Sequence, residues 1–151
     1  MTLPENFPYS PDLINQLELC MGGVYEHVKW QEDTGKVEEV VGLALGKGWV
    51  HRLVNQARSG ARFDIGETQF NDVVANLPSD LHVLAFYHSH PTGNLSPSIE
   101  DQSMMMLQFA QGVHMPWLIV TITPFPRARL HWLDPQYQVI GSYDLPITVH
   151  A

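Results

Sequence analysis

His88 and His90 stand two positions apart at the end of a run rich in strand-forming residues, Leu81 to Tyr87. In an extended chain residues i and i+2 point to the same side, so both imidazoles can reach one ion. A His-x-His pair alone is weak evidence, because most such histidines are surface or core residues. Asp101 lies eleven positions after His90 at the start of the next helical period, and Pro91, Gly93 and Pro97 let the chain turn back between them. Two histidines and one carboxylate with an open position form a catalytic zinc set, distinct from a closed structural one. Zinc would lower the pKa of a bound water to about 7 and polarise a carbonyl. A hydrolase of this kind also needs a carboxylate base that is not a ligand, and it gains from a donor to the developing oxyanion. Ser98 is three before Asp101 on the same helix face, where its hydroxyl could be that donor. It could also cap the helix, and the two roles are compatible.

The elements that must position these groups follow from pattern. Residues 1–10 carry Pro4 and Pro8 without periodicity and read as an irregular arm. Ser10-Pro11-Asp12 supplies an N-cap hydroxyl, a first-turn proline and an acid for the positive helix end. Leu13, Leu17, Met21, Val24 and Val28 then mark one apolar stripe of a helix to about Trp30, and Asp33-Thr34-Gly35 ends it. Glu39 to Leu45 reads as a fully buried strand with Trp49 to Val54 as its partner. Residues 55–66 are a polar loop and Glu67 to Asn76 a short helix. Leu81 to Tyr87 is a core strand that runs into the Pro/Gly-rich HSHPTGNLSPS loop. Ile99 to Gln111 is helical, and WLIVTI after Pro116 is another core strand. Arg129 to Leu133, Gln138 to Tyr143 and Ile147 to Val149 read as short strands. The expectation is a single α+β (mixed α/β) domain over residues 1–151.

Composition narrows the classes. The chain has 151 residues, 44% hydrophobic, enough to bury roughly two-thirds of the unfolded surface without a metal or disulfide. Four Trp, five Tyr and six Phe exclude a disordered chain. One cysteine, Cys20, excludes an internal disulfide framework and sits in the helical stripe as a buried thiol. A net charge of −8 argues against nucleic acid and against an anionic membrane surface. The N-terminus has no signal-peptide pattern and the apolar run Trp117 to Ile122 is too short to span a bilayer, so a cytoplasmic location is expected. His27, His51, His82, His114, His131 and His150 lack partners at ligand spacing and read as structural or solvated. Arg58 and Arg62, on either side of Gly60, could hold an acidic partner but more often such residues are only solvated.

His88-Ser89-His90, seven residues, Ser98, two residues, Asp101 resembles the H-S-H-x7-S-x-x-D signature of the JAMM (MPN-plus, JAB-domain) zinc metalloproteases. The segment EVVGLALG resembles that family's first core strand, in which a Glu stands three before the first Gly. The resemblance covers roughly residues 12–133 and is of the short prokaryotic, stand-alone type, since fifty residues after Asp101 leave little room for the second large insertion of eukaryotic deubiquitinases. It implies an MPN fold, a curved, barrel-like sheet flanked by helices. It further implies one Zn2+ on His88, His90 and Asp101, with Ser98 stabilising the tetrahedral intermediate. Glu39 would take a proton from the zinc water and pass it to the leaving amine; Glu38 is the neighbouring rival. The implied reaction is peptide or isopeptide hydrolysis after the C-terminal tail of a ubiquitin-like protein, with conjugation-pathway enzymes as further partners.

Four other readings stand beside this one. Some relatives are inactive scaffolds that have lost a ligand or the Glu, whereas all five positions stand here. Some short relatives process sulfur-carrier proteins, and others associate with DNA repair through an H-x-H-P-S-G signature, from which Ser89 and the acidic charge point away. Two histidines and a carboxylate also serve non-haem iron oxygenases, which need neither the upstream Glu nor the Ser.

Overall fold

In the computed structural model, which describes residues 3–5, 7–34, 39–55, 67–134 and 139–147, the first apolar stripe lies along helix α1 (Asp12–Asp33). Leu13, Leu17, Cys20, Met21, Val24 and Val28 are buried on it, as their spacing requires. The helix runs three residues past the expected Trp30, and the Thr34 hydroxyl donates to the Gln31 carbonyl at its end. Pro11, not Ser10, takes the cap place; Ser10 Oγ still accepts the Asp12 N–H at 3.3 Å.

Among the described residues six strands follow in one sheet: β1 (Val41–Leu45), β2 (Val50–Leu53), β3 (Val83–Ser89), β4 (Trp117–Thr121), β5 (Arg127–Asp134) and β6 (Val139–Leu145). Their order is β2-β1-β3-β4-β5-β6, and among the described residues no strand closes the sheet beyond β2 or β6. All neighbours are antiparallel except β3 and β4. That parallel pair needs a crossover, which helix α3 (Ile99–Ala110) provides. A shorter helix, α2 (Glu67–Ala75), precedes β3. This agrees with the expected α+β, MPN-like arrangement. Strand β3 extends two residues beyond the expected Tyr87, so His88 and Ser89 lie inside it and His90 just past it. Strands β5 and β6 are longer than their apolar cores suggested, and Ile147 lies beyond the last strand.

Alternation divides the sheet into two faces. On one, α1 packs on Ala44, Ala85, Tyr87, Leu118, Leu130 and Trp132. On the other, Val41, Leu43, Phe86 and Trp117 meet Met105 of α3, with Phe70 and Val73 of α2 beside them. Gly42 lets the two layers close up: a Cβ there would strike the Tyr87 ring. That ring's hydroxyl in turn shares a 2.6 Å hydrogen bond with His27 Nδ1 of α1. No helix among the described residues is long and apolar enough to cross a membrane.

Candidate metal centre

The β1–β3 register sets Val41 opposite His88. His88 and His90 project to the face that carries Trp117, their ring centroids 4.9 Å apart, and the His88 ring meets Trp117 edge-on. Glu39 precedes β1 by two residues and is only 6% exposed. Asp101 comes from the opposite side, in the first turn of α3, and is 3% exposed. Four of the five expected residues are thus buried together on the end of β3.

The two carboxylates flank the imidazoles. His88 Nδ1 lies 3.6 Å from Glu39 Oε2, and His88 Nε2 lies 3.5 Å from Asp101 Oδ1. His90 Nε2 is 3.1 Å from Asp101 Oδ2 and 3.9 Å from Glu39 Oε1. His90 Nδ1–H donates to the Asn94 carbonyl at 2.6 Å. In the neutral ring this leaves the Nε2 lone pair pointing into the cluster, as for a metal-binding histidine oriented by its other nitrogen. Ligand atoms of Glu39, His88 and His90 all lie within 4.8 Å of one another, a group that could hold an ion. Asp101, expected as the third ligand, instead contacts the Nε2 atoms of both histidines from its side.

Ser98 is the N-cap of α3. Its Oγ accepts the Asp101 N–H at 3.0 Å, and its own N–H donates to Asp101 Oδ2 at 2.9 Å. This reciprocal capping box confirms the cap. It uses the hydroxyl only as an acceptor, so its hydrogen remains available to donate.

Electrostatics show what the cluster lacks. Burial raises the Glu39 carboxyl to about 8, and the nearby Asp101 and Glu100 charges push the same way against His90. Burial lowers His88 to about 4. For His90, burial pulls down, but the Asp101 hydrogen bond and the Asn94 carbonyl outweigh it and raise the ring. Burial would raise Asp101, yet the His90 hydrogen bond, the His88 ring and the Ser98 N–H hold it below the usual carboxylate range. Glu39 Oε2 is buried and accepts no hydrogen bond. An uncompensated buried carboxylate oxygen is costly, and a cation beside it removes that cost. The donor set of two imidazoles and carboxylates fits zinc.

A family model for prokaryotic homologs of the JAB domain matches residues 24–132. The chain belongs to that family. No curated protein matches it. A solution structure of a protein from Salinibacter ruber is similar, with 19% identity, 90% of this chain and 88% of that chain covered, and a TM-score of 0.46.

Several residues that support the site in this JAB domain are silent in the sequence. Ser89 Oγ accepts the Val40 N–H at 2.8 Å and Asn55 Nδ2 donates to the Glu39 carbonyl at 2.9 Å, so both hold the segment that carries Glu39. His131, expected to be structural or solvated, is buried, and its Nε2–H donates to the Leu95 carbonyl at 2.8 Å. Arg127 donates to the carbonyls of Gly93 at 2.6 Å and Thr123 at 3.2 Å. Gly93 has φ +85° and sits so close to Thr123 that a side chain would not fit. The only hint in the sequence was Gly93 itself, in a loop where a positive φ was plausible. His27 is structural, as expected. Glu38, Arg58, Arg62, His150 and most of the 55–66 loop lie outside the described residues.

Proposed function

We propose that this JAB domain is a cytoplasmic zinc-dependent peptidase or isopeptidase that cuts after the C-terminal tail of a ubiquitin-like protein, in deconjugation or precursor processing. The observation that supports this most is the Glu39 carboxyl on one side of His88 with Asp101 on the other. His88, His90 and Asp101 would hold the zinc. When bound, zinc supplies a Lewis acid that acidifies a water and polarises the scissile carbonyl. Glu39 accepts the proton at a carboxylate oxygen that has no other donor, and returns it to the leaving amine. The Ser98 hydroxyl donates to the substrate carbonyl oxygen as negative charge gathers there. Asn94 and the α3 capping box keep His90 and Asp101 from turning.

The substrate's tail would lie extended along an open edge of the sheet, where main-chain hydrogen bonds give affinity. The folded body would add binding remote from the cut bond. The test compares an intact ubiquitin-like fusion with its isolated tail peptide, using zinc-loaded enzyme and a chelated control. The fusion should show a much higher kcat/KM. Equal values would leave a general peptidase, and no cleavage of either would remove the peptidase reading. A sulfur-carrier precursor with residues beyond its tail, run alongside a conjugate, separates processing from deconjugation.

A further inference from the structure

The side-chain amide of Gln69, on α2, grips both main-chain groups of one residue. Its Oε1 accepts the Val54 N–H at 2.7 Å, and its Nε2 donates to the Val54 carbonyl at 2.9 Å. Val54 follows directly on β2, and the residue is 67% exposed. Across the hairpin the Leu45 N–H donates to the Trp49 carbonyl at 2.8 Å, with Leu43 opposite His51 and Val41 opposite Leu53. In an antiparallel ladder these residues alternate, so Trp49, His51 and Leu53 turn their main-chain groups toward β1. Val50, Arg52 and Val54 therefore turn theirs outward. Among the described residues no strand pairs with that outer side.

A carboxamide carries one donor and one acceptor side by side. Bonded to both groups of Val54, it stands where one residue of an added antiparallel strand would stand. The neighbouring Asn55 donates to the Glu39 carbonyl, so this edge leads into the metal centre. Resting on the proposed cleavage of an extended tail, we propose that the outer edge of β2 at Val54 is where the tail's main chain docks, and that Gln69 is its internal competitor. The tail takes over the Val54 N–H and carbonyl, and the Gln69 amide is released to water. The apparent affinity for the tail is then reduced by the fraction of molecules in which Gln69 holds the edge. A bond that only tied α2 to the sheet would have the opposite consequence, since losing it would loosen the edge and weaken docking.

The experiment uses the full zinc-loaded chain and a synthetic peptide of about eight residues ending in Gly-Gly, with an alternately N-methylated version that cannot pair. Gln69→Ala should bind the unmethylated peptide about fivefold or more tightly, because two hydrogen bonds no longer have to be given up. In Gln69→Ala the Val54 amide should exchange rapidly when free and become protected when peptide is bound. In the wild-type chain, titration should move the Gln69 side-chain amide resonances to their solvated positions, and the N-methylated peptide should not. The wild-type titration decides the matter if Gln69→Ala fails to fold. Weaker binding by a folded Gln69→Ala, or Gln69 resonances unmoved at saturating peptide, overturns the proposal. Cleavage of the fusion with a silent Val54 removes the docking edge and leaves the peptidase; pairing at Val54 without cleavage does the reverse.

Discussion

Asp101 and His90 meet through an oxygen that is already engaged. Asp101 Oδ2 accepts the Ser98 N–H at 2.9 Å and lies 3.1 Å from His90 Nε2. The carboxylate that closes the start of α3 is the one presented to the imidazoles, so the helix cap fixes its rotamer before any ion arrives. Positioning by secondary structure of this kind is more exact than positioning by a free loop side chain.

The ligand set can be read by metal analysis of dialysed variants. The zinc-loaded chain should carry about one ion. His88→Ala and Asp101→Ala should lose it. Glu39→Gln should keep it while turnover falls about a hundredfold or more. Loss of zinc from Glu39→Gln, with retention in Asp101→Ala, would instead place the ion among Glu39, His88 and His90.

The observed cap and the proposed oxyanion donation of Ser98 separate by choice of substituent. Ser98→Ala should cost about 1 kcal/mol of stability through the lost cap, whereas Ser98→Gly should cost only a few tenths. Both lack the hydroxyl, so both should lower kcat by about a hundredfold with little change in substrate binding. Thermal melting and steady-state kinetics on the pair check this. A kcat that tracks stability rather than the hydroxyl would reduce Ser98 to a cap.

Four of these residues were legible because their spacing is local: two histidines two apart at a strand end, then a serine and an aspartate one helical turn apart; Glu39, far upstream, was marked only by the resemblance of EVVGLALG to the family's first core strand. The groups that hold them were not. His131 and Arg127 bind main-chain carbonyls 36 and 34 positions away, and a carbonyl has no sequence signature. The buried strand β1 was readable from its continuous apolar run, all five residues of which are buried. The ends of β5 and β6 were not, because main-chain pairing carries them through Arg127, Asp134 and Asp144, where residue type gives no strand signal.

Acid sensitivity should follow from His27. Burial, with help from Arg52, lowers its pKa from 6.5 to about 4, so the folded state resists its protonation. The unfolded chain binds this proton first. Stability is therefore complete above about pH 6.5 and falls as pH drops toward 4, by about 3 kcal/mol at most. His27→Gln should flatten that part of the melting-temperature profile relative to wild type, both measured without metal. Parallel profiles would contradict it.

Arg127 should act on the metal centre without touching it. Removing its bonds to Gly93 and Thr123 frees the turn between His90 and Asp101. Arg127→Ala should weaken zinc binding about tenfold, the scale of other supporting-residue losses, in a chain that remains folded. Arg127→Lys should restore part of it, since an ammonium lacks the planar fork. Chelator competition gives the affinities, and unchanged affinity in Arg127→Ala would dismiss the role.

Gly42 has an effect at a distance from its own position. The Tyr87 ring lies across it, and His27 holds that ring from the far side. If β1 slid by one residue along β3, the Cβ of Val41 or Leu43 would be driven into the ring. The strand can therefore dock in a single alignment, the one that sets Val41 against His88. Glu39 reaches the two imidazoles because a methyl group is absent three residues downstream, so the accuracy of the candidate metal centre is fixed by an atom that the chain leaves out.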